Sequence, residues 1–478
     1  MKNILFLYFF TLLSLLCFGQ SYTFPISNNN YNVIELKDDQ NKINGYFLVN
    51  TNKGFHFDIL DKNLTKISSG SSSELVPYNF LNLFKSVKLI NDKLSVSKIY
   101  YNPNTYSFPF EATYIFDVKT GAFEKMFYQK EQELVLSETE QSFHQILKGQ
   151  NGKNLSEVTP IAYNNKTFFV VESYVLPKVY LFSSKIRESK IEILDGKGSP
   201  IWEIYKNYRD SLEQSFYNLI SIKNGKVFIL ESNFESKRKF LGSVLKIYNL
   251  DDGKLISSIN VNTESSQFLE ISRVEEFEGG FTLIGLYKSP SKNYNDLIES
   301  KYAGFYRWKL KEDGTTISRN LYGWLRLTAK LDFFIGRKDE VSNYLNPLIS
   351  FDTKNGFSFI LKNERDDLYS SQTKNYFLLN FDSKNEFTSF KKYNKDEISF
   401  VDFNYDQTKK QLNILEFEHL KKNSGNLKIA NSDTNFISKS FQLTEDNITP
   451  NSITDDHKVL MISKEKDNLI LNLVTINL

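Results

Sequence analysis

The sequence predicts an all-β protein assembled from seven copies of a four-stranded unit, or eight if the C-terminal tail forms most of its own. Three observations lead there. An apolar or aromatic run, a short polar turn containing Asp and a second apolar run recur seven times, the turns starting at Asp61, Asp117, Asp195, Asp251, Asp313, Asp382 and Asp433 with gaps of 56, 78, 56, 62, 69 and 51 residues. Self-similarity on this scale marks a repeat architecture. The runs themselves are short and rich in Phe, Tyr, Ile, Leu and Val, and Asn, Asp, Gly and Lys separate them, which is strand and turn chemistry. Helical periodicity is confined to Glu131–Lys148 and Leu325–Asn346.

Taken in chain order, Lys2 precedes an apolar stretch from Ile4 to Phe18 without a charge, the pattern of a secretory signal peptide over residues 1–19. Cys17 and Gly19 supply the small residues that cleavage between Gly19 and Gln20 requires, so the mature chain is expected to begin at Gln20 and to form one domain over residues 20–478. Leu16, directly before Cys17, is too bulky for the lipoprotein alternative. The apolar run is short for a membrane span, and no later segment approaches one, so no transmembrane segment is expected in the mature chain. Cys17 is the only cysteine, which leaves that chain neither disulfide nor thiolate chemistry and rests its stability on the core. The 59 basic and 57 acidic residues are interspersed, and nothing in that balance points to nucleic acid.

The first strands expected are Asn32–Leu36, Gly45–Asn50 and Phe55–Leu60. The repeat is plainest in the fourth unit: Phe216–Ile222 turns through Lys223, Asn224 and Gly225 into Val227–Glu231, a polar segment leads to Val244–Leu250, and Asp251–Gly253 turns the chain into Leu255–Val261. Asn-Gly and Asp-Gly supply the positive φ that tight hairpins demand. The tail offers Lys458–Ser463 and Asn468–Thr475, which together with the N-terminal strands complete one mixed unit and remove an exposed edge.

This grammar of four consecutive strands resembles that of β-propeller repeat proteins, and the resemblance implies a ring of seven or eight four-stranded blades closed by N- and C-terminal strands. The chain departs from the best-known repeats in lacking a Trp-Asp or Gly-His signature and in its irregular spacing, and a pair of two-sheet sandwiches is the competing architecture. Signal peptide and composition also resemble those of uncharacterised secreted proteins of Bacteroidetes, which implies export to the periplasm or the exterior of a Gram-negative envelope and no residue-level function.

Tight and long connections alternate, so the long ones share one end of the units: Tyr100–Glu111, Tyr174–Arg187, Ser232–Gly242, Lys288–Lys301, Lys362–Lys374 and Glu418–Gly425. Loops at one end of a rigid scaffold are where ligands bind. They carry Tyr106, Phe108, Tyr174, Tyr180, Phe234, Arg238, Tyr294, Arg365 and Tyr369, with Tyr101, Phe110 and Phe240 beside them, the aromatic and cationic mixture of a protein or glycan binding face. Packing of the same rings between blades is the plainer alternative. Glu172 and Glu231 close the second strand of their units, with Glu364 and Glu416 near the same place, and such a pair could act as acid and base on a glycosidic bond or be held structurally by nearby Lys.

The four histidines, His56, His144, His419 and His457, lack metal-ligand spacing, the surroundings of Asn431, Asp433 and Asn435 lack a calcium-loop pattern, and there is no Gly-x-Ser-x-Gly elbow. No catalytic residue, metal or cofactor is therefore assigned. The function expected is a binding or protein-interaction module, with a carbohydrate-active hydrolase or lyase and an envelope assembly scaffold as competitors.

Overall fold

The computed structural model describes residues 20–26, 31–37, 43–50, 55–72, 81–102, 107–130, 153–154, 157–175, 188–207, 213–235, 240–263, 268–289, 302–324, 327, 345–353, 356–367, 370–394, 400–406, 411–421, 424–431, 434–441, 449–453 and 458–475. Apart from Trp324 and Leu327, which are helical, their regular structure is β-strand. The helix candidate Glu131–Lys148 lies outside the described residues, and of Leu325–Asn346 only Leu327 and the strand residues Leu345 and Asn346 are described.

The strands begin with β1 (Gln20–Pro25), then β2–β5 (Tyr31–Lys37, Ile43–Asn50, Phe55–Asp61, Lys66–Ser72) and β6–β10 (Leu81–Ile90, Lys93–Asn102, Ser107–Asp117, Phe123–Lys130, Lys153–Asn154). Next come β11–β14 (Glu157–Tyr163, Lys166–Val175, Glu188–Leu194, Pro200–Asn207) and β15–β18 (Glu213–Lys223, Lys226–Glu235, Phe240–Asn249, Leu255–Thr263). They are followed by β19–β22 (Phe268–Phe277, Gly280–Lys288, Gly304–Lys311, Thr316–Gly323) and β23–β26 (Leu345–Thr353, Gly356–Asp367, Ser370–Asp382, Phe387–Asn394). Last are β27–β30 (Phe400–Asp406, Gln411–Lys421, Ser424–Asn431, Thr434–Phe441) and β31–β33 (Thr449–Ile453, Lys458–Glu465, Asn468–Thr475).

Among the described residues these make eight sheets, each an antiparallel meander in sequence order, with two additions. Strand β10 pairs parallel to the outer edge of β9, and β1 pairs antiparallel to β33 to complete the sheet of β31–β33. The mixed sheet therefore takes Gln20–Pro25 from the N-terminus, and the strands between Tyr31 and Ser72, expected to join the tail, form a sheet of their own. The chain divides into two compact units, residues 1–155 with 397–478 and residues 156–396, each holding four sheets. Repeated four-stranded antiparallel sheets of this kind are consistent with a β-propeller.

The recurring Asp turns are the hairpins between third and fourth strands. In four sheets a backbone N–H···O=C bond closes a five-residue turn, Asp61 to Thr65, Asp195 to Ser199, Lys311 to Thr315 and Asp382 to Glu386, and in two a six-residue turn, Asp117 to Ala122 and Asn249 to Lys254. The carboxylate explains the Asp: Oδ1 of Asp195 accepts the N–H groups of Lys197 and Ser199 at 2.8 Å each, and Oδ1 of Asp382 those of Lys384 and Glu386 at 2.9 and 2.8 Å. The residue that leaves each turn is left-handed: Leu64, Gly121, Gly198, Gly253, Gly314 and Asn385 have φ between 61° and 86°. Leu64 is the outlier, a bulky side chain at φ 61° held there because it is buried beside Tyr46, Leu48 and Leu60.

Three of these turns also seat a sheet against the one before it. Trp202 Nε1, on the outer strand β14, donates to the carbonyl of Leu250 at 2.8 Å, and a Cβ on Gly253 would lie 2.7 Å from the Trp202 ring. Ser68 on β5 likewise donates to the carbonyl of Val118, and a Cβ on Gly314 would lie 2.7 Å from Ser257 Oγ on β18. The cores lie between neighbouring sheets: Phe168, Val170, Val227 and Ile229 belong to one cluster, Ile259, Leu269, Phe281 and Trp308 to another, and Phe305, Tyr322, Phe359 and Phe381 to a third. Strand alternation puts one set of side chains on each face, so a sheet with neighbours on both sides reads as a nearly continuous apolar run, as in Val227–Leu230.

Candidate functional site

The expected binding end of the sheets is where the strands run longest. Phe108 lies on β8, Tyr174 on β12, Phe234 and Phe240 on β16 and β17, and Arg365 on β24. Pairing continues to Asn102↔Ser107, Phe234↔Phe240 and Asp367↔Ser370, so much of what the sequence assigns to long connections is ladder. The connections left between paired strands are residues 103–106, 176–187, 236–239, 289–303, 368–369 and 422–423. Backbone pairing does not require apolar side chains, and this is why the polar flanks of each run read as loop in the sequence. Tyr106, Tyr180, Arg238, Tyr294 and Tyr369 lie outside the described residues. Phe110 is buried in the core with Tyr100 and Tyr114 and so is not part of a solvent-facing set, while Tyr101 is half-buried.

The candidate carboxylates are buried, with Glu172 7% and Glu231 6% exposed. Each extends the apolar alternation of its strand, Phe168, Val170, Glu172 on β12 and Val227, Ile229, Glu231 on β16, so both border the core layer those residues share. Glu172 Oε1 accepts the N–H of Leu219 on β15 at 3.1 Å, tying one sheet to the next. Glu231 Oε2 lies 2.5 Å from Lys246 Nζ on β17. Burial alone would lower the Lys246 pKa, but the Glu231 carboxylate outweighs it and holds the ammonium above its ordinary range. Glu416 is buried at the corresponding end of β28, and Glu364 lies on β24. Of the histidines, His56 is exposed on β4, His419 lies on β28, and His144 and His457 are outside the described residues. Asn431 and Asn435 fall on β29 and β30, and Asp433 is outside the described residues. Among the described residues no group of three or more His, Cys, Asp or Glu could hold a metal ion.

Sequence reading missed a charged layer between the sheet β19–β22 and the sheet β23–β26. Register places Arg273, Ile284 and Arg307 side by side on one face, with Glu275, Thr282 and Lys309 in the next row. Asp352 on β23 meets them, its Oδ1 2.6 Å from Arg307 Nη2 and its Oδ2 2.9 Å from Lys309 Nζ. Arg273 donates to the carbonyl of Leu348 at 2.9 Å, and Glu275 accepts the N–H of Ser350 at 3.3 Å and sits 3.3 Å from Arg273 Nε. Burial would raise the Asp352 pKa, yet Arg307 and Lys309 outweigh it and hold the carboxyl below its ordinary range. For Glu275 burial wins and pushes the carboxyl up, against the opposing pull of Arg273. Cross-sheet partners 43 to 75 residues apart leave no local motif, so nothing in the sequence could have flagged this layer.

Fold and site together define an all-β repeat protein consistent with the β-propeller class. No protein-family model and no curated protein matches the chain. Among solved structures it is similar to Sqt1 of Saccharomyces cerevisiae, at 8% identity and TM-score 0.38 over 96% of this chain and 100% of that one. It is also similar to a subtype N10 neuraminidase-like protein of A/little yellow-shouldered bat/Guatemala/060/2010 (10% identity, TM-score 0.35, 77% of this chain and 96% of that one). A protein of unknown function from Bacteroides caccae follows at 8% identity and TM-score 0.26, over 63% of this chain and 85% of that one. Likenesses this remote carry no function across.

Proposed function

We propose that the chain is an exported binding module, a β-propeller of eight blades that presents the connections at the long-strand end of its sheets to a protein or glycan ligand in a Gram-negative envelope. The observation that carries this reading is the state of the candidate acid and base. Glu172 and Glu231 are buried and engaged by a backbone N–H of the next sheet and by Lys246, as structural carboxylates are. Among the described residues no helix is long and apolar enough to cross a membrane. The binding residues are Tyr106, Phe108, Tyr174, Tyr180, Phe234, Arg238, Tyr294, Arg365 and Tyr369, and the signal peptide ends at Gly19.

The test is a polysaccharide and envelope-protein array probed with the chain from Gln20, beside its triple variant Tyr106→Ala, Tyr180→Ala, Tyr294→Ala. Capture that the triple variant loses, with no sugar released and no effect of Glu172→Gln or Glu231→Gln beyond stability, is the expected result. Release of reducing or unsaturated sugar ends, abolished in either Gln variant, would overturn it in favour of a hydrolase or lyase.

A further inference from the structure

We propose that the charged layer between the sheet β19–β22 and the sheet β23–β26 is a binding site for one small inorganic anion of the size of chloride. The layer gathers three cations, Arg273, Arg307 and Lys309, which pair with Glu275 and Asp352, while Glu386 acts electrostatically on Tyr322. Three buried polar atoms in it have no hydrogen-bond partner: Arg307 Nε, Ser350 Oγ and the Tyr322 hydroxyl. The three residues are 6%, 3% and 8% exposed. All three groups can donate a proton, and Arg307 Nε can do nothing else.

They also stand together. The Arg307 guanidinium lies 4.6 Å over the Phe357 ring, and the Tyr322 ring is 6.0 Å from the same ring. Ser350 is two residues from Asp352 on one face of β23, directly opposite Phe359, and Asp352 holds the other end of the Arg307 fork.

A buried donor without a partner is costly, more so when it is charged, and native cores contain few of them. Three unpartnered donors in one layer, two of them beside the Arg307 guanidinium's neighbours Phe357 and Asp352, are what a single anion can satisfy by accepting from each. A carboxylate ligand or a phosphate would need room for several oxygens beside Asp352, whereas a monatomic anion needs only the donors. Solvent has a way in, because the side chains of Arg273 and Asp352 at the margin of the layer keep 39% and 40% of their surface exposed.

Crystals of the chain soaked in sodium bromide give the direct readout, an anomalous peak in contact with Arg307 Nε. In solution, unfolding is followed at constant ionic strength with sodium chloride replaced stepwise by sodium gluconate. Chloride a hundredfold above its dissociation constant should raise the folded-to-unfolded ratio about a hundredfold. Ser350→Ala and Tyr322→Phe remove single donors without opening a large cavity and should each reduce that chloride-specific gain, while Ser257→Ala, at an orphan hydroxyl on β18 outside the layer, should leave it intact. Density for a water with no anomalous signal, or a chloride effect equal in all four proteins, would overturn the proposal.

Discussion

Gly253 is the position where the seating of one sheet on another can be measured. In the Gly253→Ala variant the methyl group enters at φ 71°, which costs an L-residue about 1–2 kcal/mol, and it meets the Trp202 ring at 2.7 Å, an overpacking contact worth about 1–3 kcal/mol more. Trp202→Ala removes the bond to the Leu250 carbonyl, about 1 kcal/mol, and the half-buried indole, about 1–3 kcal/mol. In the double variant the backbone strain persists but the clash has gone, so its cost should fall short of the sum of the single costs by about 1–3 kcal/mol. The assay is urea unfolding of residues 20–478 followed by far-UV circular dichroism, with the four proteins compared at equal m-value. Additivity within about 0.5 kcal/mol would refute the idea that the Asn249–Lys254 turn is seated under the outer strand of the preceding sheet.

Glu275→Gln should raise the melting temperature at pH 8 and lose that advantage near pH 4. A carboxyl pushed up by burial favours folding only below its unfolded value of about 4.3, and that contribution is lost as pH rises through the folded value; a variant less stable than the parent at pH 8 would show that the Arg273 contact dominates instead. Asp352→Asn should do the opposite. The stability it removes is present above about 3.9 and lost as pH falls through the depressed value, so parent and variant should converge in acid, and a constant difference across the range would count against the assignment. Leu64→Gly relieves a left-handed residue but empties a buried site, and should destabilise by about 1–3 kcal/mol, whereas Asn385→Gly at the equivalent turn position should be neutral or slightly stabilising; calorimetry of both separates backbone strain from burial. Expression with its own leader in a Gram-negative host should yield a periplasmic protein whose N-terminal sequence starts at Gln20, and a cytoplasmic chain retaining Met1 would end the export reading.

Turn chemistry made the sheets legible from sequence, because Asp61, Asp195 and Asp382 perform one local task and Asn224-Gly225 and Gly253 adopt the positive φ their types suggest. The fourth unit comes out within a few residues of its observed strands for this reason. Strand ends were less readable, since Phe234, Arg365 and their neighbours sit in ladders that polar residues also sustain. Pairings over long separations were hidden: Gln20–Pro25 has no apolar alternation strong enough to announce a strand, and its partner is at the other end of the chain. The site was hidden more deeply. Glu172 and Glu231 stand out in the sequence as acids at strand ends, but what they hold, Leu219 and Lys246, is set by sheet packing, and the Arg307 layer is created by that packing altogether.

The pairing of β1 with β33 fixes an order of events during synthesis. Among the described residues every other antiparallel ladder joins strands adjacent in the chain, so seven sheets can form as their own residues emerge, whereas Gln20 must wait for Leu473. Closing a loop of that length is slow compared with a hairpin. Until it closes, β33 has a bare edge and Phe24, buried beside Leu469 and Leu471 in the finished protein, has no core to enter. A nascent or C-terminally shortened chain should therefore hold most of its sheets in native form and still be the species that chaperones and proteases recognise.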